Sequence, residues 1–323
     1  MSSSASDRTP DLIADIGGTN ARFALSDGPG STPRAVQVLA TSAYADLAGA
    51  ADAYLRHAGG PRPQRAAVAI ANPVTGDRVE MTNNAWRFSR EATRTALGLE
   101  RLELLNDFKA LALSLPLLAG EALQQVGGTV PVAGTAIGLI GPGTGLGVSG
   151  LLPDGHGGWR AIEGEGGHVS FSPADALELE ILRWALARHP HVSVERLVSG
   201  ALGLPNLHQA LAEIDGLPAE AMAAPEIVQR GTSGDCALCR RVLTVFCAML
   251  GTAAGNLALT LGARGGVYIG GGIVPRFPEF FAASPFRARF EHRGRFTAYL
   301  QPIPCFVIHA PDAALRGAAA ALD

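Results

Sequence analysis

The strongest constraint on this chain is a pattern that occurs twice: an apolar segment, a glycine-rich turn, and a second apolar segment. Residues 12–15 run into Gly17-Gly18-Thr19-Asn20, and residues 21–25 resume the strand pattern. Residues 136–140 run into Gly141-Pro142-Gly143-Thr144-Gly145, and residues 146–152 follow. Short apolar segments joined by glycine turns read as β-hairpins. A hairpin opening each half of a chain points to a duplicated fold.

The rest of the first half extends the pattern. It predicts a third strand at 35–40 and a helix at 44–57, stopped by Gly59-Gly60-Pro61. A strand follows at 65–71, then a helix capped by Ser89 and reaching residue 97. A strand at 102–105 delivers Asn106-Asp107 at its C-terminal end, and a helix runs on to about residue 118. The order βββαβαβα is that of an RNase H-like module. In the second half, helices are expected at 173–188 and 202–214, with a long one at 235–261. A strand at 265–273 runs into Gly270-Gly271-Gly272, a last strand lies at 303–309 and a last helix at 312–320. The expected class is α/β with two RNase H-like domains. The smaller takes residues 11–116 with the terminal helix, 311–323, packed on it, and the larger takes 117–310.

Composition narrows the function. A chain of 323 residues suggests about two domains, and 47% hydrophobic residues supply a full core. Charged residues are only 17%, which argues against long disordered tracts. A net charge of −3 and the lack of any run of basic residues argue against a sequence-general nucleic-acid binder, and a single lysine, Lys109, leaves no lysine-rich phosphate cradle. The apolar stretches look interrupted well short of the ~20 residues that span a bilayer. Residues 1–10 read as a polar tail without a signal-peptide core. Three of the four cysteines, Cys236, Cys239 and Cys247, fall in one expected helix and Cys305 lies apart. That is no disulfide framework, so a reducing, cytoplasmic setting is expected. The lone Cys236-x-x-Cys239 reads as packing inside that helix.

Five segments carry chemistry. In Asp15-Ile16-Gly17-Gly18-Thr19-Asn20, adjacent glycines let backbone N–H groups converge on a phosphate, and Asp15 suits Mg²⁺, directly or through water. An ordinary hairpin turn is the alternative. Gly141-Pro142-Gly143-Thr144-Gly145-Leu146-Gly147 has no following Lys-Ser/Thr and opens a strand, so it is neither a Walker nor a Rossmann loop. A second phosphate turn fits it, as does a plain tight turn. Asp107 at a strand end suits a general base, or a helix cap. Glu163-Gly164-Glu165-Gly166-Gly167-His168, with Glu195 further on, offers the donors and acceptors a polyol needs. For Glu195 a solvated surface charge, and for His168 a core histidine, are the plain alternatives. Gly270-Gly271-Gly272 lets a flat ring lie against backbone, or a helix pack closely.

Taken in order, six motifs resemble the bacterial glucokinase family. They are Ala14-Asp15-Ile16-Gly17-Gly18-Thr19-Asn20, Leu105-Asn106-Asp107-Phe108, Gly141 through Gly147 as above, Gly164-Glu165-Gly166-Gly167-His168-Val169, Leu197-Val198-Ser199-Gly200 and Gly270-Gly271-Gly272-Ile273-Val274-Pro275-Arg276-Phe277. The resemblance spans residues 12 to about 317. It implies the actin-like ATPase or hexokinase fold, with a cleft between its domains, and phosphorylation of D-glucose by ATP, with Mg²⁺, as the first step of glycolysis. It implies Asp107 as base and Asn106, Asp107, Glu165, His168 and Glu195 as sugar ligands. Ala14, Asp15, Ile16, Gly17, Gly18, Thr19 and Asn20, with Gly143, Thr144 and Gly145, would face the phosphates, and Gly270, Gly271 and Gly272 the adenosine. The cysteine-rich zinc signature of the related repressor/kinase family is missing, so no zinc site is expected. Expected partners are glucose, ATP and a second copy in a homodimer, with no nucleic acid or membrane. A kinase for mannose, fructose or an N-acetylhexosamine is the rival within the class. A sugar-responsive regulator, for which a first strand near Leu12 leaves no room for a helix-turn-helix, and a chaperone-like ATPase are the rivals outside it.

Overall fold

The computed structural model describes residues 9–218 and 220–323, so the expected N-terminal tail lies almost wholly outside the described residues. The chain divides into two compact units: one reaches to Ala119 and takes in Ala310–Asp323, and the other is Gly120–His309.

In the first unit the strands are β1 (Asp11–Ile16), β2 (Asn20–Ser26), β3 (Arg34–Ala40), β4 (Arg65–Ile70), β5 (Arg78–Glu80), β6 (Arg87–Ser89) and β7 (Arg101–Asn106). β1, β2 and β3 form an antiparallel meander, β4 and β7 run parallel to β1, and the sheet order is β3-β2-β1-β4-β7. Leu12, Ile13 and Ala14 are fully buried. Side chains alternate faces along a strand, so β1 is covered on both sides, which is why it reads as a continuous apolar run. The small β5–β6 ribbon carries no apolar run long enough to announce itself and was not expected.

Helices α1 (Leu47–Ala58), α2 (Arg90–Ala96) and α3 (Asp107–Ser114) connect and follow these strands. The start of α1 is set by Asp46, whose side chain accepts the Gly49 N–H at 2.8 Å, three residues after the expected start. Gly59, at φ 67°, ends it. Ser89 caps α2 as expected.

The second unit repeats the plan. Its strands are β8 (Leu123–Gln125), β9 (Ile137–Pro142), β10 (Leu146–Pro153), β11 (Trp159–Ile162), β12 (Val267–Ile269) and β13 (Cys305–Ile308). The order is β11-β10-β9-β12-β13-β8, the first unit's order with β8 added at one edge. The duplication is therefore one of topology and extends well beyond the two glycine turns. The strand expected at 265–273 is only three residues long, because the chain turns at Gly271, φ 77°.

Helices α4 (Ala176–Leu186), α5 (Val194–Leu197), α6 (Gly203–Ile214), α7 (Ala224–Ser233), α8 (Ala237–Leu261), α9 (Pro278–Ala282), α10 (Phe286–Glu291) and α11 (Thr297–Leu300) complete it. α8 corrects two expectations. Its 25 residues are long and apolar enough to cross a membrane by length and composition, yet most of that stretch is buried. It is a core helix, packed on α6, α7 and α10. The glycines that interrupt it in sequence are packing sites: a Cβ on Gly255 would stand 2.7 Å from the Phe290 carbonyl oxygen. Cys236 is not inside this helix but is its N-cap.

The last helix, α12 (Ala313–Ala320), belongs to the first unit. Leu315, Ala318 and Leu322 pack with Ile13, Leu105 and Ala110. At Gly317 the approach to α3 is so close that a Cβ would run into the Ala110 carbonyl oxygen.

Candidate functional site

In the first unit the candidate residues sit at the C-terminal ends of β1, β4 and β7. The Gly17 N–H donates to the Asn20 carbonyl at 2.9 Å, closing the β1–β2 turn. Its other carbonyls are gripped from outside. Asn84 Nδ2 donates to the Gly17 carbonyl at 3.1 Å, and Thr41 Oγ1 to that of Gly18 at 2.8 Å. A Cβ on Gly18 would stand 2.8 Å from the Asn83 carbonyl oxygen, so only glycine fits there. Asp15 is half-buried and lies opposite Arg22 across the β1–β2 ladder. Burial pushes its carboxyl above the usual range, and the Arg22 charge opposes the shift.

Asn106 ends β7 and caps α3: its Oδ1 accepts the N–H groups of Phe108 at 2.9 Å and Lys109 at 3.2 Å. Asp107 is the first residue of the helix, half-buried, with its own Oδ1 accepting the Phe108 N–H at 2.8 Å. The alternative of Asp107 as the cap is thereby corrected. Asn106 Nδ2 donates to the Asn72 carbonyl at 3.4 Å. Asn72, at the end of β4, is buried and bonds Glu80 and Thr82. Sequence reasoning passed over Thr41, Asn72, Asn83 and Asn84. Thr41 and Asn72 follow predicted strands as polar loop residues, and Asn83 and Asn84 carried no signal beyond being polar.

In the second unit the Gly143 N–H donates to the Gly145 carbonyl at 2.9 Å. Two further segments close on this turn. Gly200 N donates to Gly143 O at 2.8 Å, Ala201 N to Thr144 O at 3.1 Å, and Ile273 N to Pro142 O at 3.3 Å. A Cβ on Gly271 would run into the Pro142 carbonyl oxygen. The turn, the Leu197-Val198-Ser199-Gly200 segment and the triple glycine thus form one backbone-lined cluster at the ends of β9 and β12.

Glu195 joins that cluster to the imidazole. Ser193 caps α5, and from its first turn Glu195 Oε2 accepts the Leu146 N–H at 2.7 Å while Oε1 lies 3.8 Å from His168 Nε2. Its side chain is 21% exposed against 61% for His168. Both plain readings are corrected: Glu195 is not a solvated surface charge, and His168 is not a core histidine. Gly145 has no room for a Cβ because the Glu195 carboxylate occupies it. Glu165 is exposed, and its carbonyl accepts the His168 N–H at 3.0 Å. Among the described residues no group of three or more His, Cys, Asp or Glu converges as metal ligands would.

The first unit offers a backbone-lined turn suited to an anion and a strand-end carboxylate, and the second offers another such turn with a carboxylate facing an imidazole. The family model described as glucokinase matches residues 12–323. A glucokinase of Chromobacterium violaceum is 55% identical over 322 residues, covering 100% of this chain and 92% of that protein. Among solved structures, a glucokinase from an Antarctic psychrotroph is 34% identical with a TM-score of 0.89, covering 98% of this chain and 99% of that one. A glucokinase of Balamuthia mandrillaris in complex with glucose, 22% identical with a TM-score of 0.77 over 97% of this chain and 94% of its own, shares the fold.

Proposed function

Because the chain belongs to the glucokinase family, we infer that it is a kinase that transfers the γ-phosphate of ATP to the 6-hydroxyl of D-glucose. The observation that carries the mechanism is the position of Asp107: a half-buried carboxylate at the end of β7, beside an asparagine whose own oxygen is committed to capping α3.

Phosphoryl transfer depends on positioning and charge stabilisation more than on covalent help. Asp107 orients the 6-hydroxyl and accepts its proton late, as the P–O bond forms. Asn106 meets the sugar as a donor, since its acceptor is used within α3. Glu165, His168 and Glu195 bind the hexose, with the Glu195 carboxylate holding itself in place through the Leu146 N–H. Residues 14–20 and 143–145 cradle phosphates, and residues 270–272 lie along the adenosine. The hard carboxylate oxygens of Asp15, next to a turn with no room for a side chain at Gly18, suit Mg²⁺. Bound there directly or through water, the ion would neutralise charge on the β- and γ-phosphates. A cytoplasmic homodimer free of nucleic acid and membrane completes the reading, and sedimentation equilibrium tests the dimer.

A coupled assay of ATP consumption against glucose, mannose, fructose and N-acetylhexosamines tests the substrate. Hydrolysis indifferent to every hexose would point to a non-kinase ATPase, and sugar binding without turnover to a regulator. Asp107→Asn tests the base. It should lower kcat by at least ~10²–10⁴-fold while calorimetry still detects glucose binding. Near-normal turnover would remove Asp107 from the mechanism.

A further inference from the structure

The cysteine pair at the start of α8 has no part in the proposed phosphoryl transfer. Cys236, partly exposed, is the N-cap of the helix, and its Sγ accepts the Cys239 N–H at 3.3 Å. Cys239 is buried one turn in, with its Sγ 3.6 Å from Met222 Sδ. We propose that Cys236 and Cys239 are a reversible modification site, a peroxide-reactive thiol pair that closes to a disulfide at the N-terminus of α8.

Three observations support it. The first is spacing. Cys236, as the extended N-cap and not a helical residue, brings its Sγ to 3.3 Å from the Cys239 nitrogen, and the two thiol groups hydrogen-bond each other. The Cys236 side chain is already folded over the first turn, toward the backbone of Cys239. The second is access: one sulfur is reachable from solvent and its partner is held behind it, as in a pair in which one thiol attacks and the other resolves. The third is charge. Burial raises the Cys236 thiol, but the N–H groups of Cys239 and Leu238, the neighbouring thiol and the Arg230 guanidinium outweigh it and leave it below the usual range. Burial pushes Cys239 upward, so Cys236 is the attacking sulfur. The other two thiols, Cys247 and Cys305, are buried, and burial pushes each up to about 12.

The co-reactant is a hydroperoxide. The Cys236 thiolate attacks one peroxide oxygen, the O–O bond breaks, and sulfenic acid and hydroxide form, the hydroxide taking a proton to become water. Cys239 then attacks the Cys236 sulfur, expelling the hydroxyl group, which leaves as a second water with the Cys239 proton. Two thiols and one hydrogen peroxide give one disulfide and two waters, and both electrons come from sulfur. A dithiol reductant reverses the step.

The test uses the full-length protein, native, with hydrogen peroxide, then an alkylating block and trypsin. Cleavage after Arg230 and Arg240 gives Gly-Thr-Ser-Gly-Asp-Cys-Ala-Leu-Cys-Arg, which contains both cysteines and no others. It should appear unalkylated and two hydrogens lighter, return to the doubly alkylated form after dithiothreitol, and convert at least about tenfold faster than Cys247 or Cys305 react. Cys239→Ser should stop at a sulfenic acid that dimedone traps on Cys236. Cys236→Ser should leave Cys239 unreactive, with circular dichroism confirming that both variants are folded. A native wild-type pair that stays doubly alkylated, or that oxidises no faster than the two core thiols, would overturn the proposal. So would direct passage of Cys236 to sulfinic acid with Cys239 present. None of these readings depends on glucose turnover, so failure here leaves the kinase reading untouched.

Discussion

Glu195 shows how one side chain serves two neighbours. One oxygen takes the Leu146 N–H, at the foot of the turn that residues 143–145 make, and the other faces His168. The two roles are separable. Glu195→Gln keeps an acceptor for the Leu146 N–H but loses the charge, so KM for glucose should rise while KM for ATP stays close to wild type. Glu195→Ala loses both, and KM for ATP should also rise at least about tenfold, since a hydrogen bond to a charged group contributes roughly 1.5–3 kcal/mol. Equal ATP constants in the two variants would separate Glu195 from the phosphate turn. Asn106 carries a second prediction. Its oxygen is spent on α3 and one amide N–H reaches the Asn72 carbonyl; on the proposed reading the other N–H and the Asp107 carboxylate would meet the sugar's 4-hydroxyl. Galactose points that hydroxyl the other way and strands about two such partners, at roughly 1–3 kcal/mol each. Its kcat/KM should fall at least ~10³-fold below that of glucose, read by steady-state kinetics on both sugars. Galactose within tenfold of glucose would move Asn106 and Asp107 away from the 4-hydroxyl.

Elements are positioned here by their ends. α1, α2, α3, α4 and α5 begin at Asp46, Ser89, Asn106, Asp175 and Ser193, each accepting a first-turn N–H. Two of those ends, α3 and α5, carry Asp107 and Glu195, so local capping chemistry aims the proposed site residues. The triple glycine after β12 is less uniform than it looks in sequence. Gly271 combines φ 77° with a position where a Cβ would run into the Pro142 carbonyl, whereas Gly272 has open space around it. Gly271→Ala should therefore lower Tm by several degrees, strain and overpacking together costing ~1–3 kcal/mol. Gly272→Ala should melt close to wild type, with any loss confined to KM for ATP. Calorimetric scans of both variants decide it. Equal losses would mean that the turn's shape, and not the Gly271 backbone, sets the requirement.

Across the whole chain the same sheet order appears twice, and the first unit is completed from the far end of the sequence. Leu315 and Leu322, both about fully buried, close the face of β1 and α3 that carries Ile13 and Ala110. Arg65 and Arg101 donate to the Leu322 carbonyl at 3.2 and 2.8 Å. Removing residues 310–323 exposes that face. Burying a leucine contributes ~1.5–3 kcal/mol, so two alone imply a fall in Tm of roughly 10 °C in units of this size. Thermal unfolding of the truncated chain, with activity measured beside it, checks this. A truncated protein that melts like the full chain would show the first unit to be self-sufficient.

The sequence by itself determined the two hairpins, the longer strands and helices of each half and the six motifs, because period-2 apolar runs, glycine turns and capping residues are local signals; the elements β5, β6, β8, β11, α5, α7 and α9 to α11 carry too little of that signal to be read. It also singled out Glu165 and His168, which lie among glycines, and Asp107 at a strand end, whereas Glu195 was assigned to the sugar only through the family resemblance. Tertiary structure decided the rest. Whether Glu195 is a solvated surface charge or a half-buried acceptor depends on the Leu146 N–H, 49 positions away along the chain. Which of two adjacent polar side chains caps α3 is decided in space: Asn106 takes the N-cap, bonding the N–H groups of Phe108 and Lys109, while its amide reaches the Asn72 carbonyl at the end of β4. Asn72 and Asn84 were illegible for the same reason: an asparagine in a loop acquires a role only when a distant carbonyl is brought within reach. Local pattern is written in neighbours along the chain, whereas hydrogen-bond partners and close backbone approaches are written in space.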